Sequence, residues 1–198
     1  MSDHLKRITA PRSWNVGRKS HFWATKPAPG PHSLEGSVPL VMVLRDYLHV
    51  CDNAREARRV LADGKVMVDQ RVVRDPKRSV GLMDVVSLPA AKADYRCLLD
   101  HHGRLHFSEI KATEAKWKLL RVEGKTTGRG GKTQLNLHDG SNLLYEGAVA
   151  TGDVLQVVLP GRKIKKVLKF DKGAPALVTG GAHVGTIAPL KEALGTRS

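Results

Sequence analysis

Three arginines, Arg55, Arg58 and Arg59, stand at i, i+3 and i+4, the spacing that gathers side chains on one face of a helix. At roughly 100° per residue, that face lies about 160° from the one carrying Ala57, Val60 and Leu61. Three guanidiniums held together repel one another unless an anion lies between them. The guanidinium fork also matches phosphate oxygens. A merely solvated basic face would show the same pattern. Lys65 and Arg71 carry the positive charge on into the segments that follow.

Other residue types that do chemistry are present without the spacing that chemistry needs. Gly131-Lys132-Thr133 has the end of a phosphate-cradling loop, but the glycine required five positions before Gly131 is Thr126, and Gly124-Lys125-Thr126 has Leu119 there. A glycine- and lysine-rich loop touching RNA phosphate is the better expectation. His101, His102 and His106 lie near Cys97, yet their spacing lacks the paired pattern of structural zinc sites. A polar hairpin around Gly103 explains them. No G-x-S-x-G elbow and no Cys/His nucleophile pattern is found. Asp46, Asp52, Asp63, Asp69, Asp75 and Asp84 fall at turns and caps, where structural roles account for them. No catalytic residue, cofactor, metal or small-molecule substrate is expected.

The charge of the whole chain supports the arginine reading. Lys plus Arg number 33 against 19 acids in 198 residues, a formal net charge of +14 with a pI near 10.1. Such an excess favours a polyanionic partner, nucleic acid before an anionic membrane surface. With 41% hydrophobic residues the chain can build cores. No stretch approaches the roughly 18 apolar residues of a membrane span, the start lacks the apolar run of a signal peptide, and two cysteines fit a reducing compartment. The expectation is a soluble intracellular protein.

Residues 1–32 carry +5, with Lys6, Arg7, Arg12, Arg18 and Lys19 among the cations. Lys26-Pro27-Ala28-Pro29-Gly30-Pro31-His32 excludes a helix or central strand, since each proline fixes φ and removes a donor. We read 1–37 as an irregular basic arm that becomes ordered on a partner or on the next domain. Trp14, Phe22 and Trp23 cluster among its cations. They either stack on splayed bases or dock on the neighbouring domain. With nine aromatics in all, the chain as a whole is not a reader of single-stranded bases by stacking.

The elements that must position these groups follow from Val38 onward. Apolar periodicity predicts a short helix over 40–49, and a second from Asn53, capped by Glu56 and closed near Gly64. Short strands are expected at Val66–Val68, Val72–Val73 and Val85–Leu88. Residues 105–172 read as β-rich, with a turn at Asp139-Gly140 and a strand at Val154–Leu159. The run Arg162–Phe170, carrying Lys163, Lys165 and Lys166, fits either a helix stripe or a strand with a bulge, the latter favoured by its surroundings. The tail from Leu177 to Ile187 reads as strand, glycine turn, strand. We therefore divide the chain into an arm (1–37), a small helix-helix-hairpin domain (38–104), a central β domain (105–172) and a C-terminal segment (173–198).

Two resemblances rest on these residues. Ala54-Arg55-Glu56-Ala57-Arg58-Arg59 through Gly64-Lys65-Val66-Met67-Val68-Asp69, with Gly81-Leu82-Met83-Asp84-Val85-Val86, resembles the small RNA-binding domain of bacterial ribosomal protein four, pseudouridine synthases and tyrosyl-tRNA synthetases. His4-Leu5-Lys6-Arg7, Ala10-Pro11-Arg12-Ser13-Trp14, Leu44-Arg45-Asp46-Tyr47-Leu48, Gln134-Leu135-Asn136-Leu137-His138-Asp139-Gly140 and Thr179-Gly180-Gly181 narrow it further. Together they resemble the eukaryotic/archaeal-type ribosomal protein four of the small subunit, with Gly128-Arg129-Gly130-Gly131-Lys132 closer to archaeal members.

That resemblance implies an α+β, multi-module and mostly β chain: small RNA-binding domain, central β domain and an SH3-like barrel with a KOW motif. Val178 to Ile187 stands for the KOW piece. Family members usually continue further and Ala188-Pro189 interrupts the motif, so only a partial barrel is expected. The implied role is a non-catalytic constituent of the small subunit, bound to rRNA beside other ribosomal proteins in the cytoplasm. The expected contact residues are Lys6, Arg7, Arg12, Trp14, Arg18, Lys19, Arg45, Arg55, Arg58, Arg59, Lys65, Arg71, Lys163, Lys165 and Lys166. The rival reading is an RNA-modifying enzyme targeted by the small domain, which the residues left after 104 give little room for. A free factor using the KOW segment fits the arm poorly.

Overall fold

A computed structural model describes residues 4–128 and 132–192. The arm forms a two-stranded ribbon, β1 (Leu5–Lys6) against β2 (Trp23–Ala24), with a 3-10 turn over Arg7–Thr9. The rest of it is irregular, as its prolines require. It is nonetheless folded onto the next unit. Trp14 is 3% exposed and its indole Nε1 donates to the Ser37 carbonyl at 2.6 Å. The Leu105 N–H donates to Ser13 O at 2.7 Å, and the Ala28 N–H to Lys77 O at 2.8 Å. Of the two ways anticipated for ordering the arm, docking on the neighbouring unit is the one present.

β3 (Ser37–Pro39) leads into α1 (Leu40–Met42), which widens into a π turn over Val43–Tyr47. Residues 40–44 are all buried. α2 (Ala54–Ala62) follows. Its N-terminus is satisfied by Asn53, whose side-chain oxygen accepts from the N–H groups of Arg55 and Glu56. Glu56 reaches back to the Asp52 N–H rather than to that of Asn53. The helix stops at Gly64 (φ +72), where Gly64 N–H bonds Leu61 O and Lys65 N–H bonds Val60 O. These are the two bonds of a Schellman cap. Ala57 and Leu61 are fully buried and Val60 packs beside them, so the apolar face is the inward one.

The first large sheet has the order β5-β4-β7-β8-β9, all antiparallel. Its strands are β4 (Met67–Val68), β5 (Arg71–Val72), β7 (Val85–Leu88), β8 (Ala93–Leu99) and β9 (Leu105–Ile110), while β6 (Ser79–Gly81) pairs with β3. β9 continues the hairpin begun by β8, so the sheet runs past residue 104 and the boundary drawn there cuts a hairpin turn. Gly103 (φ +73) makes that turn, the polar hairpin expected around His101 and His102.

The second large sheet has the order β12-β11-β10-β13-β14. Its members are β10 (Trp117–Thr127), β11 (Thr133–Leu137), β12 (Asn142–Leu144), β13 (Val154–Val158) and β14 (Lys163–Leu168). Leu120, Val122, Leu135, Leu137, Val149, Leu155 and Val157 form its core. The ambiguous run after Arg162 is a strand. The register shifts between Gln156 and Val157, leaving Lys165 as the extra residue of a bulge. In the tail, β15 (Pro175–Leu177) pairs with β16 (Ile187–Pro189). Ala188-Pro189 lies within this ladder rather than breaking it, and the strands sit further apart in sequence than expected. The molecule is mostly β with few helices.

Candidate nucleic-acid interface

The α2 arginines stand where helical spacing puts them. Arg55, Arg58 and Arg59 are exposed, with no ion pair among the described residues. Arg71 is exposed on β5, the edge of the first sheet. Lys65 is exposed too and forms a 2.9 Å pair with Asp63, which holds the Asp63 carboxyl below the usual range. At the other end of the chain Lys163, Lys165 and Lys166 are exposed on β14, while Ile164 and Val167 pack on the second core. β14 is an edge strand, and lysines along an edge also deter pairing with another chain.

Within the arm the expected residues separate into two groups. Arg12, Arg18 and Lys19 line an open hollow of about 540 Å³ together with Arg104. Arg104 comes from the turn before β9, and its guanidinium donates to Asn15 Oδ1 at 3.3 Å. Lys6 is exposed on β1. Arg7 and Trp14 instead face inward. Arg7 is 4% exposed, donates from Nε to Gly17 O at 2.6 Å and lies 3.9 Å from Asp46. Its charge is met by Asp46 of the next unit, and the Trp14 ring is held in the core. Arg45 is half-buried and forks onto Asp46 at 2.8 and 3.2 Å. These three side chains are therefore held by partners within the fold.

A second constellation was not anticipated. Lys118, 1% exposed, sits among three carboxylates: Asp69 Oδ2 at 2.5 Å, Asp139 Oδ2 at 3.0 Å and Asp84 Oδ1 at 3.2 Å. His32 Nε2 meets Asp84 Oδ2 at 2.8 Å, and the Gly81 N–H donates to the same oxygen. Four parts of the molecule converge: the arm through His32, the first sheet through Asp69 and Asp84, β10 through Lys118, and the β11–β12 turn through Asp139. Asp69 is delivered by a two-residue hairpin loop in which both Asp69 (φ +51) and Gln70 (φ +62) are left-handed, the geometry of a type I′ turn. Gly81 has no room for a side chain: a Cβ there would lie 2.5 Å from the His32 ring and 2.7 Å from Gly36 O.

The charges of this cluster are fixed by competition between burial and pairing. Burial disfavours the ammonium of Lys118, but the three carboxylates, Asp84 foremost, hold it protonated well above the usual lysine range. Burial also opposes ionisation of Asp84. The hydrogen bond from His32, the charge of Lys118 and the Gly81 N–H overcome it and hold the carboxyl well below its usual range. Asp139 is lowered by Lys118 and Ser141 against its own burial. Asp69 goes the other way, raised by burial and by the nearby charge of Asp84. Such a cluster joins structural parts and leaves no acid free to act on a substrate.

The junction has further ties. Arg96 donates to the carbonyls of Glu114 and Trp117 at 2.9 and 2.8 Å and stacks over the Trp117 ring at 4.4 Å. Val85, Ala115 and Leu159 form a small core between the two large sheets. Cys51 and Cys97 are buried free thiols, each pushed up by burial. Cys97 and His106 do not join the half-buried Asp100 and the exposed His101 and His102, which gather at the tip of the β8–β9 hairpin. Of the Gly131-Lys132-Thr133 stretch, Gly131 lies outside the described residues, as do Arg129 and Gly130 of the preceding loop.

Comparison with known proteins gives this architecture its class. Residues 38–86 match the S4 domain, and residues 1–35 match the RS4NT (NUC023) domain. With the structure, this defines a chain that carries an S4 domain behind a basic N-terminal arm. Residues 91–180 match ribosomal family S4e. The chain is 45% identical over 195 residues to small ribosomal subunit protein eS4 of Methanothermobacter thermautotrophicus, covering 98% of this chain and 81% of that protein. It is 44% identical to the protein of the same name from Methanocaldococcus jannaschii, covering 96% and 80%. The crystal structure of the 30S ribosomal protein S4e from Thermoplasma acidophilum superposes with a TM-score of 0.74 at 35% identity, covering 82% of this chain and 84% of that one. The chain belongs to the S4e family of ribosomal proteins. This is a family of ribosomal structural proteins, not of enzymes, and the RNA-modifying reading is set aside.

Proposed function

We propose that this chain binds small-subunit rRNA as a structural constituent of the ribosome in the cytoplasm, in contact with neighbouring ribosomal proteins. The observation that carries the reading is the division of its charges. Asp69, Asp84 and Asp139 are taken up by Lys118 and His32, whereas Arg55, Arg58, Arg59 and Arg71 stay exposed and unpaired among the described residues. Lysine and arginine neutralise phosphates and release counterions, so affinity falls steeply with salt. On this reading Lys6, Arg12, Arg18, Lys19, Lys65, Lys163, Lys165 and Lys166 add phosphate contacts, and the arginine hollow with Arg104 is a further one. The division into arm, small RNA-binding domain, central β domain and C-terminal segment belongs to the same proposal, with β15 and β16 as part of a KOW-type barrel.

Sedimentation of cell extract through a gradient, before and after a high-salt wash, tests it. Recovery with the small subunit after moderate salt is the expected result. Recovery only in the free fraction overturns the proposal.

A further inference from the structure

Trp14 is buried, but the two aromatics that follow it are not. Phe22 is 64% exposed and Trp23 53%. Trp23 opens β2 and Phe22 immediately precedes it, their ring centroids 4.7 Å apart and nearly perpendicular at 81°. The ribbon fixes them there. Lys6 pairs with Trp23 across the two strands, and the Arg7 N–H donates to Phe22 O at 2.9 Å. His4 packs on Trp23 at 5.4 Å, and Lys6 Nζ lies 5.4 Å from the Phe22 ring centre. Beside Phe22 is an open hollow of about 350 Å³ bordered by Lys6, Ile8, Lys19 and His21. Ile8 is 60% exposed.

Two large rings left in water on a pinned ribbon lack the partner that aromatic surface ordinarily finds. The charge around them selects its chemistry. Between residues 4 and 34 there are six Lys or Arg and no Asp or Glu. A partner protein would have to meet this patch with acids as well as apolar surface, whereas single-stranded RNA brings negative phosphates and flat π faces together. We propose that Phe22 and Trp23 form a stacking platform for an unpaired base of rRNA, with Lys6 and Lys19 taking the flanking phosphates. This inference rests on the rRNA-binding reading and adds a subsite to it. It differs from the arginine surface of α2, which offers charge and no ring.

The test uses the full chain with two probes, an oligouridylate decamer and a blunt RNA duplex of the same length. Base–aromatic stacking contributes about 1–3 kcal/mol per base. Phe22→Leu with Trp23→Leu is therefore expected to weaken decamer binding about tenfold or more, while duplex binding and its salt slope change by less than about twofold. Phe22→Tyr with Trp23→Tyr keeps π faces and restores decamer binding. Wild-type tryptophan emission is quenched by the decamer through Trp23, since Trp14 is buried and Trp117 lies under Arg96. Unchanged decamer binding in the leucine variant overturns the platform and leaves a neighbouring protein as the patch's partner. Equal loss on both probes, or no rescue by tyrosine, also overturns it. Failure of the wild type to bind either probe or small-subunit rRNA would instead sink the rRNA reading beneath it.

Discussion

His32 and Asp84, separated by 52 residues, are joined at 2.8 Å, with both side chains all but buried. Through that contact the proline-rich end of the arm is tied to the carboxylate that also receives Lys118. The arm is thus held by a polar anchor at one end and by Trp14 nearer the other. The basic surface it carries is presented by a folded ribbon rather than by a loose chain. A preorganised surface loses less freedom on binding.

Removing the cation at the centre leaves three carboxylates with no counter-charge. Breaking a buried pair by deleting one partner is destabilising by about 3–5 kcal/mol. Lys118→Met should lose stability on that scale at pH 7 in urea unfolding. The deficit should shrink towards pH 4, as the abandoned acids are neutralised. An equal deficit at both pH values would mean that the loss is one of packing.

Asp84 and Asp69 should show opposite pH dependence. The Asp84 carboxyl is held below its unfolded range, so its contribution is present above about pH 4 and is lost as pH falls through the folded value. Asp84→Asn should therefore be most harmful at pH 7, with a deficit that starts to shrink below about pH 4. Asp69 is raised, so ionising it burdens the folded state as pH rises. Asp69→Asn should be least harmful at pH 7. Thermal unfolding of both variants across pH 3–7 checks the two trends.

Gly81→Ala should dislodge the arm. The added carbon would meet the His32 ring and the Gly36 carbonyl, an overpacking that destabilises by about 1–3 kcal/mol. Limited proteolysis should then cut within residues 25–36 of the variant sooner than in wild type. A variant with an unchanged digestion pattern would show that the neighbours yield without release.

Arg58→Glu with Arg59→Glu should weaken rRNA binding while leaving the fold intact, because both side chains are exposed and unpaired among the described residues. Each lost phosphate contact should make the log–log salt slope shallower by about one. Circular dichroism verifies folding and filter binding at several salt concentrations reads the slope. An unchanged slope in the folded variant would remove α2 from the interface.

The α2 helix was legible because its evidence is local: a 3.6-residue period, Asn53 at one end and Gly64 at the other. The strand after Arg162 was legible only as one of two options, since Ile164, Val167 and Leu168 fit a helix stripe as well as a bulged strand. The Lys118 cluster leaves one mark in the sequence. Alternation along β10 puts Lys118 on the same face as Leu120 and Val122, and a lysine on a buried face demands acids nearby. Which acids could not be read, because Asp69, Asp84 and Asp139 come from three other turns or strands. Arg104 gave no local sign either, since its neighbours in the hollow lie some 90 residues earlier. The inward placement of Arg7 and Trp14 left no mark in composition, which cannot separate a cation or a ring that faces solvent from one that ties the arm down.

The contact between Ser13 and Leu105 also has a meaning in time. A chain is made from its N-terminus at about 5–20 residues per second, so residue 105 follows residue 13 by roughly five to twenty seconds. Throughout that interval the arm is cationic and aromatic, and the part of its seat that β9 supplies is missing. The newborn segment therefore offers its cations and rings to nucleic acid before the strand that completes its seat exists.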